Sequence, residues 1–385
     1  MNIKDKYLAC MLLHSLGDEI GFGNGAVEFN YGKLDNVTTH MNLEYLMEFI
    51  ANGGVNEFDT KGLIASDDTI LHMCTTKALL SNFSTVNEFG LSLKNEYIKI
   101  FDDEFYNKRG YGKQTVNAIT SLKRGTLWNN VIYDRGAIGN GAAMRTPCIG
   151  LAFYGKTKRK KLMVAALESS RLTHNSAAGI LSGITVALFT AYAIEEKNIE
   201  DWPFKLIKFL NSGIVDEYIN KTRPNDYNDY IQDKKNYTGL WNKYLDKRFI
   251  GRKFQEIDSM KNVMIRSDWF YDSFNYHRSE HISKKKIYSN IGGTGYDCNL
   301  VAYDALISCK GSWETLMIYS MLHIGDSDTT GCIAASWFGA FYGFSKFIPE
   351  KMIKNLEFRK DIEKISNELY EKYGVNNSEI LGEVL

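Results

Sequence analysis

Two short acidic clusters carry the chemistry open to this chain: Ser66-Asp67-Asp68-Thr69 and Gly325-Asp326-Ser327-Asp328-Thr329-Thr330. Each reads as the first turn of an apolar helix. A serine cap with one acid behind it satisfies orphan amides and favours the helix dipole. Two adjacent acids repel, so a cap accounts for only one of them. The second cluster leads into residues 332–344, a markedly apolar run. Carboxylates at the head of such a helix are costly unless something compensates them. If the clusters meet, four carboxylates and the hydroxyls of Ser66 and Thr329 form an all-oxygen donor set. Such a set suits hard cations, Mg²⁺ or Mn²⁺ rather than zinc. Four carboxylates overcharge one ion, and two ions balance them better.

Three further segments could handle an anion. The loop Gly136-Ala137-Ile138-Gly139-Asn140-Gly141 matches neither common nucleotide motif, yet it could offer backbone amides to a phosphate. Gly292-Gly293-Thr294-Gly295 is a weaker version of the same idea. His174 sits between two helical segments; a single histidine is more often a structural hydrogen-bonder than a catalyst, but a neutral imidazole here could donate to a phosphate or ribose oxygen. His277-Arg278-Ser279-Glu280-His281 fits an H-x-x-E-H zinc pattern, but its polar, lysine-rich setting lacks the apolar helix that would seat two ligands.

The elements that must position these groups are helical. Periodicity predicts helices over 3–16, 67–81, 160–171, 176–195, 312–322 and 329–345, with few strand signals and only four prolines. Glycine and polar residues concentrate at 17–36, 134–141 and 289–297, which predicts loops there. The stretch 221–290, rich in Tyr, Asn, Asp and Lys, predicts a looser, partly helical excursion on a single domain. The uncharged run 175–194 approaches a membrane span in length, but its hydroxyls and glycines suit a closely packed central helix. With 46 basic and 46 acidic residues, the balance excludes a dedicated nucleic-acid binder. Six cysteines without a C-x-x-C pair predict buried free thiols in a reducing, cytoplasmic setting.

Taken together, the motifs resemble the ADP-ribosylglycohydrolase family, and its ADP-ribosylarginine hydrolase branch most. The resemblance covers nearly the whole chain. It includes Gly17-Asp18, Asn24-Gly25, Glu28-Phe29, Ser66-Asp67-Asp68-Thr69, Gly141-Ala142-Ala143-Met144-Arg145 and Cys148-Ile149-Gly150-Leu151. It continues through Arg171-Leu172-Thr173-His174, Ala302-Tyr303-Asp304-Ala305 and Gly325-Asp326-Ser327-Asp328-Thr329. Asn175-Ser176-Ala177-Ala178 departs from the family's usual His and Pro after the Thr-His pair.

The resemblance implies one compact orthogonal all-α domain over 1–385, with a two-magnesium site at helix N-termini. It assigns Ser66, Asp67, Asp68, Asp326, Asp328 and Thr329 as ligands. Asp67, Asp68, Asp326 and Glu28 become catalytic candidates. Gly139, Asn140, Gly141, His174, Tyr288, Ser289, Gly292 and Gly293 fall where ADP-ribose is held. The implied substrate is an ADP-ribosylated protein or ADP-ribosylarginine, with ADP-ribose as product, and a monomer without nucleic-acid or membrane partners. Serine-linked, O-acyl or poly(ADP-ribose), a metal-dependent phosphohydrolase, and an inactive ADP-ribose-binding module remain the alternatives.

Overall fold

The computed structural model describes residues 2–27, 36–274, 291–344 and 348–375. Among these the protein is all-α apart from one small hairpin, in which Phe249–Ile250 pairs antiparallel with Lys253–Phe254.

Helix α1 (Ile3–Phe22) starts at Asn2, whose side chain accepts from the Lys4 amide at 3.1 Å, and ends at Gly23 in the left-handed region. The glycines after residue 16 predict a loop, but the helix runs six residues further. Those glycines face α9 (Ser327–Tyr342), where a side chain has no room. A Cβ at Gly17 would lie 2.5 Å from the Gly331 carbonyl oxygen, and one at Gly21 only 2.2 Å from that of Ser327. Gly331 and Gly339 on α9 are equally tight against the Gly17 and Ala9 carbonyls, at 2.7 and 2.5 Å. Each helical glycine costs about 1 kcal/mol relative to alanine. The close approach of two backbones offsets that cost.

Helix α2 (Asp67–Leu80) packs beside α1. Its His72 ring stacks on His14 of α1, with centroids 4.0 Å apart. Both imidazoles are buried, and burial holds His14 down to about 4, so the pair is neutral and packs like any flat ring. Helices α3 (Arg159–Arg171) and α4 (Ala177–Ile194) also pack closely. Gly183 lets the Ser170 hydroxyl approach to where a Cβ would be 2.2 Å away. Helix α4 has a mean hydropathy of 1.8 and is the one described helix long and apolar enough to cross a membrane by length and composition. All of it is buried against other helices. Phe189 at its centre meets Trp202, Trp241, Tyr303 and Trp337 at 5.2–5.6 Å between ring centroids.

The tyrosine-rich stretch expected as a looser excursion holds two helices, α5 (Tyr227–Arg248) and α6 (Val263–Phe274). Tyr230, Tyr237, Trp241 and Tyr244 of α5 are fully buried. The tyrosine hydroxyls find partners inside the core: Tyr237 shares a hydrogen bond with Thr185 at 2.6 Å and accepts one from Asn299 at 3.1 Å. Tyr244 donates to Asp304 on α7 (Cys298–Cys309) at 2.6 Å. Asp304 also pairs with Arg248, at 2.7 Å, and with Arg266 of α6. The two guanidiniums hold its carboxyl below the usual range against the opposing effect of burial. One buried acid thus ties α5, α6 and α7 together. Helix α8 (Trp313–Ser320) leads into α9, and α10 (Arg359–Leu369) packs on α1 and α2. All six cysteines are buried and free.

Two substitutions separate close packing from propensity. Gly17→Ala should lower the stability of the fold by about 1–3 kcal/mol, because overpacking against backbone outweighs improved propensity. Gly239→Ala, on an open face of α5 with nothing within 4 Å, should raise it by ~0.5–1 kcal/mol. Chemical denaturation midpoints read both. Asp304→Asn leaves two buried guanidiniums underpaired and should cost ~3–5 kcal/mol by the same measurement.

Candidate metal centre and flanking loops

The acidic centre forms where α1, α2 and α9 converge. Ser66 caps α2 by accepting the Asp68 amide at 3.1 Å, while the Asp67 amide donates to the Arg109 carbonyl at 2.9 Å. A second cap comes from α1. The Asp18 carboxylate accepts the Ser66 and Thr69 amides, each at 3.1 Å. Asp18 thereby fixes the turn that carries Asp67 and Asp68. At the head of α9, the Ser327 hydroxyl donates to the Gly21 carbonyl at 2.9 Å, locking the end of α1 to the start of α9. The Asp326 amide donates to the Ile291 carbonyl at 2.9 Å, and the Thr329 amide to Asp328 at 2.7 Å.

These restraints bring the two acidic clusters into one place. Asp18, Asp68 and Asp328 are buried, and each offers an oxygen within 4.8 Å of the others. Asp67 and Asp326, both 8% exposed, lie close enough for each to raise the proton affinity of its neighbours. Asp326 Oδ1 is buried without a hydrogen-bond partner among the described residues. The Cys332 thiol donates to Asp68 at 3.3 Å. Asp18 was absent from the expected ligand set. Its signal in the sequence is an acid at Gly17-Asp18, inside what proves to be a buried helix.

So many acids cannot all ionise together. Burial, then the charges of Asp18 and Asp326, push Asp67 up to about 8. Burial followed by Asp18, Asp67 and Asp326 pushes Asp68 well above its ordinary value. Burial raises Asp18 to about 6 and also raises Asp326, opposed by hydrogen bonds from Ser66 and Thr69 in the first case and from Asp328, Thr329 and Asn140 in the second. The buried, oxygen-only donor set fits a divalent cation, which would supply the missing charge.

Two loops border the centre. Asn140 donates to the Gly292 carbonyl at 2.8 Å, Gly139 bridges Thr294, and the Gly295 amide donates to the Ile138 carbonyl at 2.8 Å. The loops holding Gly139–Gly141 and Gly292–Gly293 are therefore one unit, joined to Asp326 through Ile291. Gly292, in the left-handed region, has no room for a Cβ, which would sit 2.6 Å from Thr330. Asp297, missed by sequence reasoning, folds this loop by accepting the Gly292 amide at 2.8 Å and the Thr294 hydroxyl at 2.6 Å. Burial pushes it up to about 6. His174 packs on the glycine loop: a Cβ at Gly139 or Gly141 would meet its ring at 3.0 or 2.8 Å. Thr173 holds its Nδ1 at 2.9 Å, and burial lowers it to about 3, so the ring is neutral. Glu28, Tyr288, Ser289 and the His277–His281 pattern lie outside the described residues.

The shifts have a thermodynamic consequence. Asp67 has a folded value of about 8 against an ordinary 3.8, so its contribution to stability is full below 3.8 and is lost as pH rises through 8. In chelator, the melting temperature should therefore fall from about pH 4 to about pH 8 and level off above that, and a divalent cation should restore more at the alkaline end. Asp67→Asn should flatten the dependence. An equal response to cation at both ends would contradict the acidic centre as its site.

The chain matches the family model for ADP-ribosylglycohydrolase over residues 1–379. It is 39% identical over 337 residues to a protein of Acanthamoeba polyphaga mimivirus called putative ADP-ribosyl glycohydrolase L444, a match covering 86% of the chain and 63% of the relative. The chain thus matches less than two thirds of that relative's length. It is 30% identical over 382 residues to ADP-ribosylhydrolase ARH1 of Dictyostelium discoideum, covering 95% of the chain and 94% of the relative. A solved structure titled as an ADP-ribosylglycohydrolase-related protein complex shares the fold, with a TM-score of 0.57 at 17% identity over 96% of this chain and 99% of that one. A full-length family match, joined to an acidic centre at the convergence of three helices, places this chain in the ADP-ribosylglycohydrolase family.

Proposed function

We propose that the protein is a Mg²⁺-dependent hydrolase that releases ADP-ribose from modified arginine side chains. The observation that carries this reading is the buried acidic centre, in which Asp18, Asp68 and Asp328 converge beside Asp67 and Asp326. A module that merely bound its ligand would have no use for so costly a concentration of charge. The ARH1-named relative supports the arginine branch, at 30% identity against 24% for the ARH3-named relative of Xenopus tropicalis.

Asp67, Asp68, Asp326 and Asp328 would hold two ions, with Ser66 and Thr329 as neighbouring oxygens and Asp18 as a further carboxylate. When bound, the ions would offset the carboxylate charge and supply Lewis acidity toward ribose hydroxyls and water. The protein's own groups do the rest. The loops around Gly139–Gly141 and Gly292–Gly293, braced by neutral His174, form the side on which ADP-ribose lies. Asp326 offers a buried oxygen with no partner among the described residues, suited to accept a proton from water. The water oxygen bonds to the anomeric carbon as that carbon's bond to the guanidinium nitrogen breaks. The bonding pair leaves with nitrogen, which takes up the proton delivered through the carboxylate. Nearby carboxylates stabilise the oxocarbenium-like transition state. Glu28 is proposed to orient the ribose or the departing guanidinium. The six buried free thiols suit a reducing, cytoplasmic setting.

Offering arginine-, serine- and ester-linked ADP-ribose with Mg²⁺ tests the assignment. Release should be confined to the arginine linkage and stop in chelator. Equal release from all three, or none from arginine, would overturn it. Asp326→Asn should lower kcat by roughly 10²–10³-fold while the protein stays folded by circular dichroism.

A further inference from the structure

A second cleft, of about 820 Å³, lies between α3 and the helix Ile214–Thr222, with residues 128–130 along one side. It shares no lining residue with the acidic centre, and its volume is that of a small-molecule site. Arg171, at the C-terminal end of α3, lines it and is only 1% exposed. One amino group of Arg171 is used: Nη1 donates to Glu168 at 3.0 Å and Thr222 at 3.3 Å. Nε and Nη2 form the side-on edge that grips an oxyanion through two parallel bonds. Both are buried without a partner among the described residues. Arg223 repeats the pattern, with Nη1 on the Val131 carbonyl at 2.7 Å and Nη2 buried and unpartnered.

Buried guanidinium edges without acceptors are costly, and the neighbouring acids do not cover them. Glu168 Oε1 takes Arg171 Nη1 and the Tyr218 hydroxyl at 2.8 Å, and its Oε2 makes no hydrogen bond to Arg171 Nε or Nη2 or to any other described group. Asp226 accepts the Asn175 amide at 3.1 Å. Lys160 and Lys221 join Arg171 and Arg223 in the lining against Glu168 and Glu217, leaving a local surplus of cations in a chain that is neutral overall. Val86, Met163 and Ile214 supply apolar wall.

We propose that this cleft is a binding site for a small oxyanion-bearing ligand, a phosphate or carboxylate attached to an apolar body. The anion lies across the side-on edge of Arg171 and against Arg223, and the apolar part lies along Val86, Met163 and Ile214. The site is independent of the hydrolytic centre and does not rest on the reading of that centre.

Calorimetric titration of the full chain in chelator, with inorganic phosphate and with phenyl phosphate, tests this. One saturable site is expected, tighter for phenyl phosphate. Binding should weaken about tenfold or more in Arg223→Gln and in the rim double variant Lys160→Glu/Lys221→Glu. It should be unchanged in Asp326→Asn. No saturable binding of either probe overturns the proposal. So does loss of binding in Asp326→Asn, or undiminished binding in Arg223→Gln and the rim variant. Arg171→Gln addresses the anion clamp directly, and the rim variant keeps the test decisive should that buried change impair folding.

Discussion

Everything at the acidic centre depends on how closely the first helix can lie on the helix that opens with Asp326. Glycines at 17, 21, 331 and 339 remove the side chains that would hold those two backbones apart. Asp18 follows Gly17, and Asp328 lies three residues before Gly331, so the contact that seats the helices also sets their carboxylates beside each other. The Ser327 hydroxyl on the Gly21 carbonyl fixes the register. Helix packing of this kind sacrifices intrinsic propensity for proximity. Proximity is what a multi-carboxylate site needs.

The same centre shows why a fold can tolerate a group that destabilises it. Asp18 is buried and near other acids, yet it caps the helix bearing Asp67 and Asp68 by accepting two backbone amides. Its structural task and its place in the donor set are inseparable. Asp297 plays a similar part in the adjoining loop, folding Gly292 and Thr294 against the Gly139–Gly141 segment. Each acid is held by amides of the loop or helix start that it shapes. The array therefore keeps its geometry while its charges repel.

Elsewhere the core is more polar than composition suggests. Tyr237, Tyr244 and Arg248 enter it because Thr185, Asn299, Asp304 and the Gln255 carbonyl take up their polar groups, whereas Arg266 pairs with Asp304 through Nη2 alone and keeps Nε and Nη1 without partners among the described residues. Arg171 and Arg223 also have donors left over, and these two residues line a cleft. Buried polar groups in this protein thus range from those whose partners close the core to those, as at Arg171 and Arg223, with donors left over in residues that line a cleft.

Local pattern was enough for the helical class, for the acidic helix starts at Ser66, which caps its turn, and at Asp326, and for a core helix over 176–195. Apolar periodicity and cap chemistry act within a few residues, so they can be read along the chain. The family motifs extended that reading to a joint centre. They did not reveal that Gly17 and Gly21 continue a helix, because glycine reads locally as a breaker and only a partner backbone makes it necessary. They did not reveal that Tyr237 and Tyr244 are core residues, since a tyrosine's burial depends on an acceptor supplied from a distant helix. The meeting of Asp18, Asp68 and Asp328 belongs to tertiary structure alone. It requires three helices to converge, and the repulsion that makes their carboxylates suited to a cation exists only once they have done so.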